Sequence, residues 1–186
     1  DGDGNLLNDV QWDFDKLTKV TIYGISDNRH FFKNVNVITN AFEDAHETNY
    51  RVEKSIYLNR GFLFEGADNF DISNIKHTSS KDQLSGSYGG FISLKNCADL
   101  NMEDCELYSR KYLEAGRSTY DLKLTHCVDI NFKNITSNDI LDSDRWGITG
   151  SNYCKDITFD NCTLNRIDSH TGFYNLNVKD CTVGIH

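Results

Sequence analysis

The stretch Asp99-Leu100-Asn101-Met102-Glu103-Asp104-Cys105-Glu106-Leu107 decides the fold, because its pattern returns along the chain with substitutions that keep its chemistry. Downstream it reads Asp129-Ile130-Asn131-Phe132-Lys133-Asn134-Ile135, then Asp156-Ile157-Thr158-Phe159-Asp160-Asn161-Cys162, then Asn175-Leu176-Asn177-Val178-Lys179-Asp180-Cys181. Upstream it is Asn69-Phe70-Asp71-Ile72-Ser73-Asn74-Ile75 and, more faintly, Phe32-Lys33-Asn34-Val35. Apolar and polar residues alternate in each copy, which is the period of a strand with one buried face. The fifth position after the leading Asp or Asn is Asn74, Asp104, Asn134, Asn161 or Asp180, and Asn34 fills the same place in the first copy, a column made only of Asn and Asp.

Recurrence of this kind implies units that bury their apolar faces against neighbouring units alone. The spacing between Val35, Ile75, Cys105, Ile135, Cys162 and Cys181 runs 40, 30, 30, 27 and 19 residues, so the strands keep register while the loops vary in size. The run before each rung repeats as well: Phe62 to Ala67 aligns without gaps to Ile92 to Cys97 and to Leu122 to Cys127. A third short segment follows each rung, as at His77-Thr78, Leu107-Tyr108 and Leu164-Asn165. The simplest reading is an all-β chain with three strands per turn of about five to six coils.

Three strands per turn and an Asn column at one corner resemble the right-handed parallel β-helix of the pectate-lyase-like superfamily. The resemblance covers residues 60–186 firmly and residues 17–59 loosely. It implies a solenoid in which stacked Asn side chains hydrogen-bond along the axis and satisfy amides that burial would otherwise leave unpaired. It also implies an extracellular setting, whether secreted, on a cell surface or on a virion, and a polysaccharide or glycan as partner. Function still has to be argued from a site. The paired acidic motifs of polygalacturonases are absent, as are the calcium aspartates and catalytic arginine motif of pectate lyases, so no catalytic residue carries over.

A chain of 186 residues reads as one domain, residues 1–186, with irregular first coils over 1–59 and regular coils over 60–186, and as a segment of something longer. Hydrophobic residues make up 38% and the mean hydropathy is −0.54, a balance expected of a solenoid that exposes one face of every strand. The net charge of −9 argues against nucleic acid and against an anionic membrane surface. No long apolar run suggests membrane insertion. The last rung has no capping helix, so further coils, a neighbouring domain or a subunit is expected over the C-terminal end.

The six cysteines fall into the repeat. Cys97, Cys127 and Cys154 share one inward column with Ala67, and Cys105, Cys162 and Cys181 share another with Ile75 and Ile135, which favours free, buried thiols acting as small hydrophobes. Adjacent rungs are also close enough for Cys97 with Cys127, or Cys162 with Cys181, to bridge. Zinc is disfavoured by the absence of a Cys-x-x-Cys spacing. The opening Asp1-Gly2-Asp3-Gly4-Asn5 begins like a calcium loop, but the twelfth position is Trp12 and not the glutamate such a loop needs. Residues 17–25 alternate as a first strand, and the charged segment around Glu43, Asp44, His46 and Glu47 reads as a solvated acidic loop.

Chemistry is expected where successive loops leave the same corner. Ser79, Ser109, Asp139 and Arg166 align in one column. The loops beyond carry Arg110, Lys111, Tyr112, Glu114 and Arg117, then Asp142, Asp144, Arg145 and Trp146, then Asp168 and His170. In a lyase acting on an acidic polysaccharide, Arg145, Arg166 and His170 would supply cation and base, with Asp139, Asp142 and Asp144 holding calcium. In a glycoside hydrolase, Asp142 or Asp144 would pair with Asp168 while Trp146 stacks on a sugar. Catalysis is thus expected of Asp142, Asp144, Arg145, Asp168 and His170, substrate binding of Trp146, Arg166, Arg110 and Tyr112, and a metal, if one is used, of Asp139. The same residues also suit a surface ion pair, turn caps and an inward tryptophan. A glycan-binding surface such as an adhesin or tailspike segment, or a structural spacer, is the alternative to an enzyme.

Overall fold

In the computed structural model the alternation seen in the sequence becomes thirteen strands, and the described residues are 24, 27–39, 61–79, 91–108, 120–138, 140–141, 147–151 and 153–184. They are β1 (His30–Thr39), β2 (Phe62–Glu65), β3 (Asp68–Ser79), β4 (Ile92–Lys95), β5 (Ala98–Leu107), β6 (Tyr120–Thr125) and β7 (Val128–Ser137). The series continues with β8 (Gly147–Ser151), β9 (Cys154–Asp160), β10 (Thr163–Leu164), β11 (Ile167–Ser169), β12 (Phe173–Lys179) and β13 (Thr182–Val183). None of the described residues is helical.

The strands form two sheets, and every pairing is parallel. One runs β2-β4-β6-β8-β11; in the other, β1-β3-β5-β7 continues into β9-β12 and into β10-β13. The chain alternates between the sheets, so each strand pairs with its counterpart one repeat away. The ungapped alignment is the register: Phe62 pairs with Ile92 and Ile92 with Leu122, while Phe70, Leu100, Ile130 and Ile157 stand in one row.

The expectation of three separate strands per turn is met only in part. In β3, β5 and β7 the second and third segments are one strand bent at Asn74, Asp104 and Asn134. They separate only later, as β9 and β10 around Asn161-Cys162 and as β12 and β13 around Asp180-Cys181. A single left-handed residue turns the strand, and pairing resumes beyond it, at Val35↔Ile75 and at Cys105↔Ile135.

All fourteen non-glycine residues with positive φ among those described fall into three columns. The first is the Asn/Asp column Asn34, Asn74, Asp104, Asn134, Asn161 and Asp180; the second is Asn69, Asp99, Asp129, Asp156 and Asn175; the third is Asn96, His126 and Tyr153, continued by Gly66. An ordinary L-residue loses about 1–2 kcal/mol in this conformation, and Asn and Asp tolerate it best. Side-chain bonds join part of the first column: Asn74 Nδ2 donates to Asn34 Oδ1 at 2.8 Å, Asn134 to Asp104 at 2.8 Å and Asn161 to Asn134 at 2.7 Å. No side-chain bond joins Asp104 to Asn74 or Asp180 to Asn161. The column residues are exposed or half-exposed, which corrects the expected reason for them. Backbone conformation selects them, and the ladder is a consequence.

Between the sheets lies a core built in columns. Leu100, Ile130 and Ile157 form one row, Ile72, Met102, Phe132 and Phe159 another, and all are fully buried. Phe132 and Phe159 stack with ring centroids 4.9 Å apart. In the last rung the same rows are open: Leu176 is 39% exposed and Val178 44%. All six cysteines are free thiols, five buried and Cys181 half-buried, and neither proposed bridge forms. Burial pushes the Cys105 and Cys162 thiols up to about 11. Cys127 is held above the ordinary thiol range by its neighbours Cys154 and Cys97 and by burial.

Candidate functional site

The polar constellation that the structure assembles lies on the outward face of the β2-β4-β6-β8-β11 sheet. Ile167 packs on the core, so its neighbours in β11 turn outward, and Arg166, Asp168 and His170 follow at two-residue spacing on one side of the chain. A register shift interrupts the pairing of β6 with β8. Leu122 pairs with Ile148, but Tyr120 pairs with Gly147, so Asp121 is an extra residue in β6 and Tyr120 is re-aimed to the outer face. The inserted Asp121 is fully buried, and its carboxylate accepts a 2.7 Å bond from Ser137 Oγ.

Gly147 lies in the row between Tyr120 and Arg166, and its missing side chain permits the assembly. A Cβ there would sit 2.6 Å from the Arg166 carbonyl oxygen and 2.8 Å from its nitrogen, and the residue has φ +66°. With glycine in place, Ile148 N donates to Arg166 O at 3.0 Å, and the Arg166 side chain lies beside Tyr120.

Three donors converge on one oxygen. Tyr120 Oη donates to Asp168 Oδ2 at 2.7 Å, Arg166 Nη2 donates to the same atom at 2.7 Å, and His170 Nε2 lies 3.2 Å from it. Tyr120 Oη is also 3.0 Å from His170 Nε2 and 3.4 Å from Arg166 Nη2. Since the tyrosine hydroxyl gives its hydrogen to Asp168, the proton on His170 Nε2 points at this pair. Burial opposes the charge on Asp168, but the bond from Tyr120 and the charges of Arg166 and His170 override it and hold the carboxyl below its ordinary range. The Tyr120 hydroxyl is pushed up to about 12, by burial first and then by the bond to Asp168. The cluster therefore presents an ionised, accept-only carboxylate and a neutral phenol. No described residue donates to Asp168 Oδ1 or bonds His170 Nδ1.

Of the residues expected from the sequence, Arg166, Asp168 and His170 come together here. Asp139, Asp142, Asp144, Arg145, Trp146, Arg110 and Tyr112 lie outside the described residues, as do Ser109, the acidic loop around His46, the opening Asp1 to Asn5 and residues 17–23. Among the described residues no group of three or more His, Cys, Asp or Glu is placed to hold a metal ion. Tyr120 is not among the expected residues, because the alternation Tyr120, Leu122, Leu124 hides the bulge; the one signal in the sequence is Gly147, a glycine opening a strand.

A second polar cluster lies at a corner of the other sheet. Arg29 reaches Asp71, Asn69 and Asp99, and Asn101 donates to Asp71 at 3.0 Å while accepting from Asn131 at 3.3 Å. Its charges are mutually engaged, and it ties four rungs together. No family model, no curated protein and no solved structure matches this chain.

Proposed function

We propose that the chain is a right-handed parallel β-helix, similar to the pectate-lyase-like superfamily, that binds a polysaccharide on the outer face of its smaller sheet, in an extracellular, cell-surface or virion setting. The handedness follows from the strong preference of parallel β connections for the right-handed crossover. One observation carries the site: Tyr120, Arg166 and His170 converge on Asp168 Oδ2. Such an arrangement fixes four polar side chains without a ligand and leaves hydrogen-bonding capacity on the outside, which is what recognition of a polyhydroxylated surface requires. Binding is what the described cluster supports by itself; hydrolysis would pair Asp168 with a second carboxylate, for which Asp142 and Asp144 are the expected partners.

The test is affinity electrophoresis through gels holding a panel of polysaccharides, with ultraviolet absorbance of unsaturated products and new reducing ends followed in parallel. Retardation by at least one glycan, lost in Asp168→Ala, supports binding. Unsaturated products would instead make the chain a lyase, and reducing ends alone a hydrolase. No retardation and no product across the panel would overturn the reading.

A further inference from the structure

The charges at the site are already paired, and this bears on the kind of glycan it takes. Arg166 and Asp168 form a 2.7 Å ion pair, with side chains 29% and 24% exposed. The guanidinium is thereby committed to a carboxylate within the protein. A uronate carboxylate arriving at the site would find that guanidinium already bound to the Asp168 anion. It would also approach a chain whose net charge is −9. Repulsion of an anionic polymer by such a chain is long-ranged and grows as salt is removed. A cationic polymer is drawn by the same net charge at long range, but at the site its ammonium would have to share Asp168 with the Arg166 guanidinium already bound to that carboxylate.

What the cluster offers is chemically specific. Asp168 Oδ1 can only accept, so it selects a donor; His170 is half-exposed, with its Nδ1 turned away from the cluster bonds. An accept-only oxygen beside an unbonded ring nitrogen on one small patch suits the hydroxyl groups of a sugar ring, which both donate and accept without charge. Building on the glycan-binding reading above, we infer that the ligand is an uncharged polysaccharide, held through its hydroxyl groups by Asp168 Oδ1 and His170 Nδ1, with Tyr120 and Arg166 as positioning residues.

The experiment compares uncharged dextran, β-glucan and galactomannan with anionic polygalacturonate and alginate and with cationic chitosan, at low and at high salt. Retardation by an uncharged polymer is expected, with a dissociation constant that changes less than twofold with salt. It should weaken tenfold or more in Asp168→Asn and at least threefold in Tyr120→Phe, while Glu103→Gln on the other sheet stays as the parent. Should the Asp168 variant fail to fold, the comparison of polymers on the parent protein decides by itself. Binding confined to the anionic or cationic polymers, and collapsing with salt, would overturn this inference and leave glycan binding standing. Silence with every polymer would overturn both.

Discussion

Arg29 grips Asp71 with two arms of its guanidinium, Nε to Oδ2 at 2.9 Å and Nη2 to Oδ1 at 2.5 Å, across 42 residues of sequence. The hydrogen bonds from Arg29 hold the Asp71 carboxyl below its ordinary value, against the opposing effect of burial. A bidentate, partly buried pair of this kind contributes about 1–2 kcal/mol. Because the folded-state value is depressed, that contribution is present above the unfolded carboxylate range and is lost as pH falls through the folded one. Asp71→Asn should therefore be less stable than the parent in urea at pH 7, and the gap should shrink below about pH 4. An unchanged gap at pH 3 would sink this account.

Phe132 and Val178 occupy one inward row with Phe159 between them, yet one is fully buried and the other 44% exposed. Phe132→Ala should cost about 3–5 kcal/mol, the usual range for a large core truncation. Val178→Ala should cost less than about 1 kcal/mol, because most of its transfer free energy is not realised in the open last rung. Chemical denaturation of the two variants checks the contrast.

At Asn134 the left-handed backbone and the ladder can be separated. Asn134→Gly keeps access to φ +53° and loses the side-chain bonds, whereas Asn134→Ala loses both. The alanine variant should be less stable than the glycine variant by about 1 kcal/mol. Equal stabilities would mean that the ladder, and not the conformation, selects asparagine here.

Gly147→Ala should damage the site directly. The added methyl meets Arg166 backbone atoms that cannot swing away, in a conformation strained for alanine. A stability loss of about 1–3 kcal/mol is expected, with loss of any glycan retardation. A fully stable variant would show that the close approach of Arg166 is not fixed.

Burial and the bond to Asp168 push the Tyr120 hydroxyl up to about 12. Its folded-state value is raised, so the stability it confers is complete below the unfolded value near 10 and is lost as pH rises through the folded one. Absorbance titration of phenolate should show one late-ionising tyrosine that disappears in Tyr120→Phe, and the variant's stability should change less than the parent's between about pH 10 and 12.

The sequence by itself determined the repeat, the register and the corners. Those are legible because a strand's side chains alternate strictly, so a column such as Ile72, Met102, Phe132 and Phe159 appears as period in the text, and because only a few residue types accept a left-handed corner. Even the outward triplet Arg166, Asp168 and His170 was within reach, since two-residue spacing puts such residues on one face. What only the tertiary structure decided is where that face finds partners. The bulge at Asp121 inverts the side on which Tyr120 emerges, and no local pattern announces an extra residue in a strand whose apolar alternation still looks intact. Gly147 likewise has a meaning only once Arg166 is seen packed against it. Register within a strand is a local property, whereas the convergence of Tyr120 and Asp168, 48 residues apart, depends on how three strands stack.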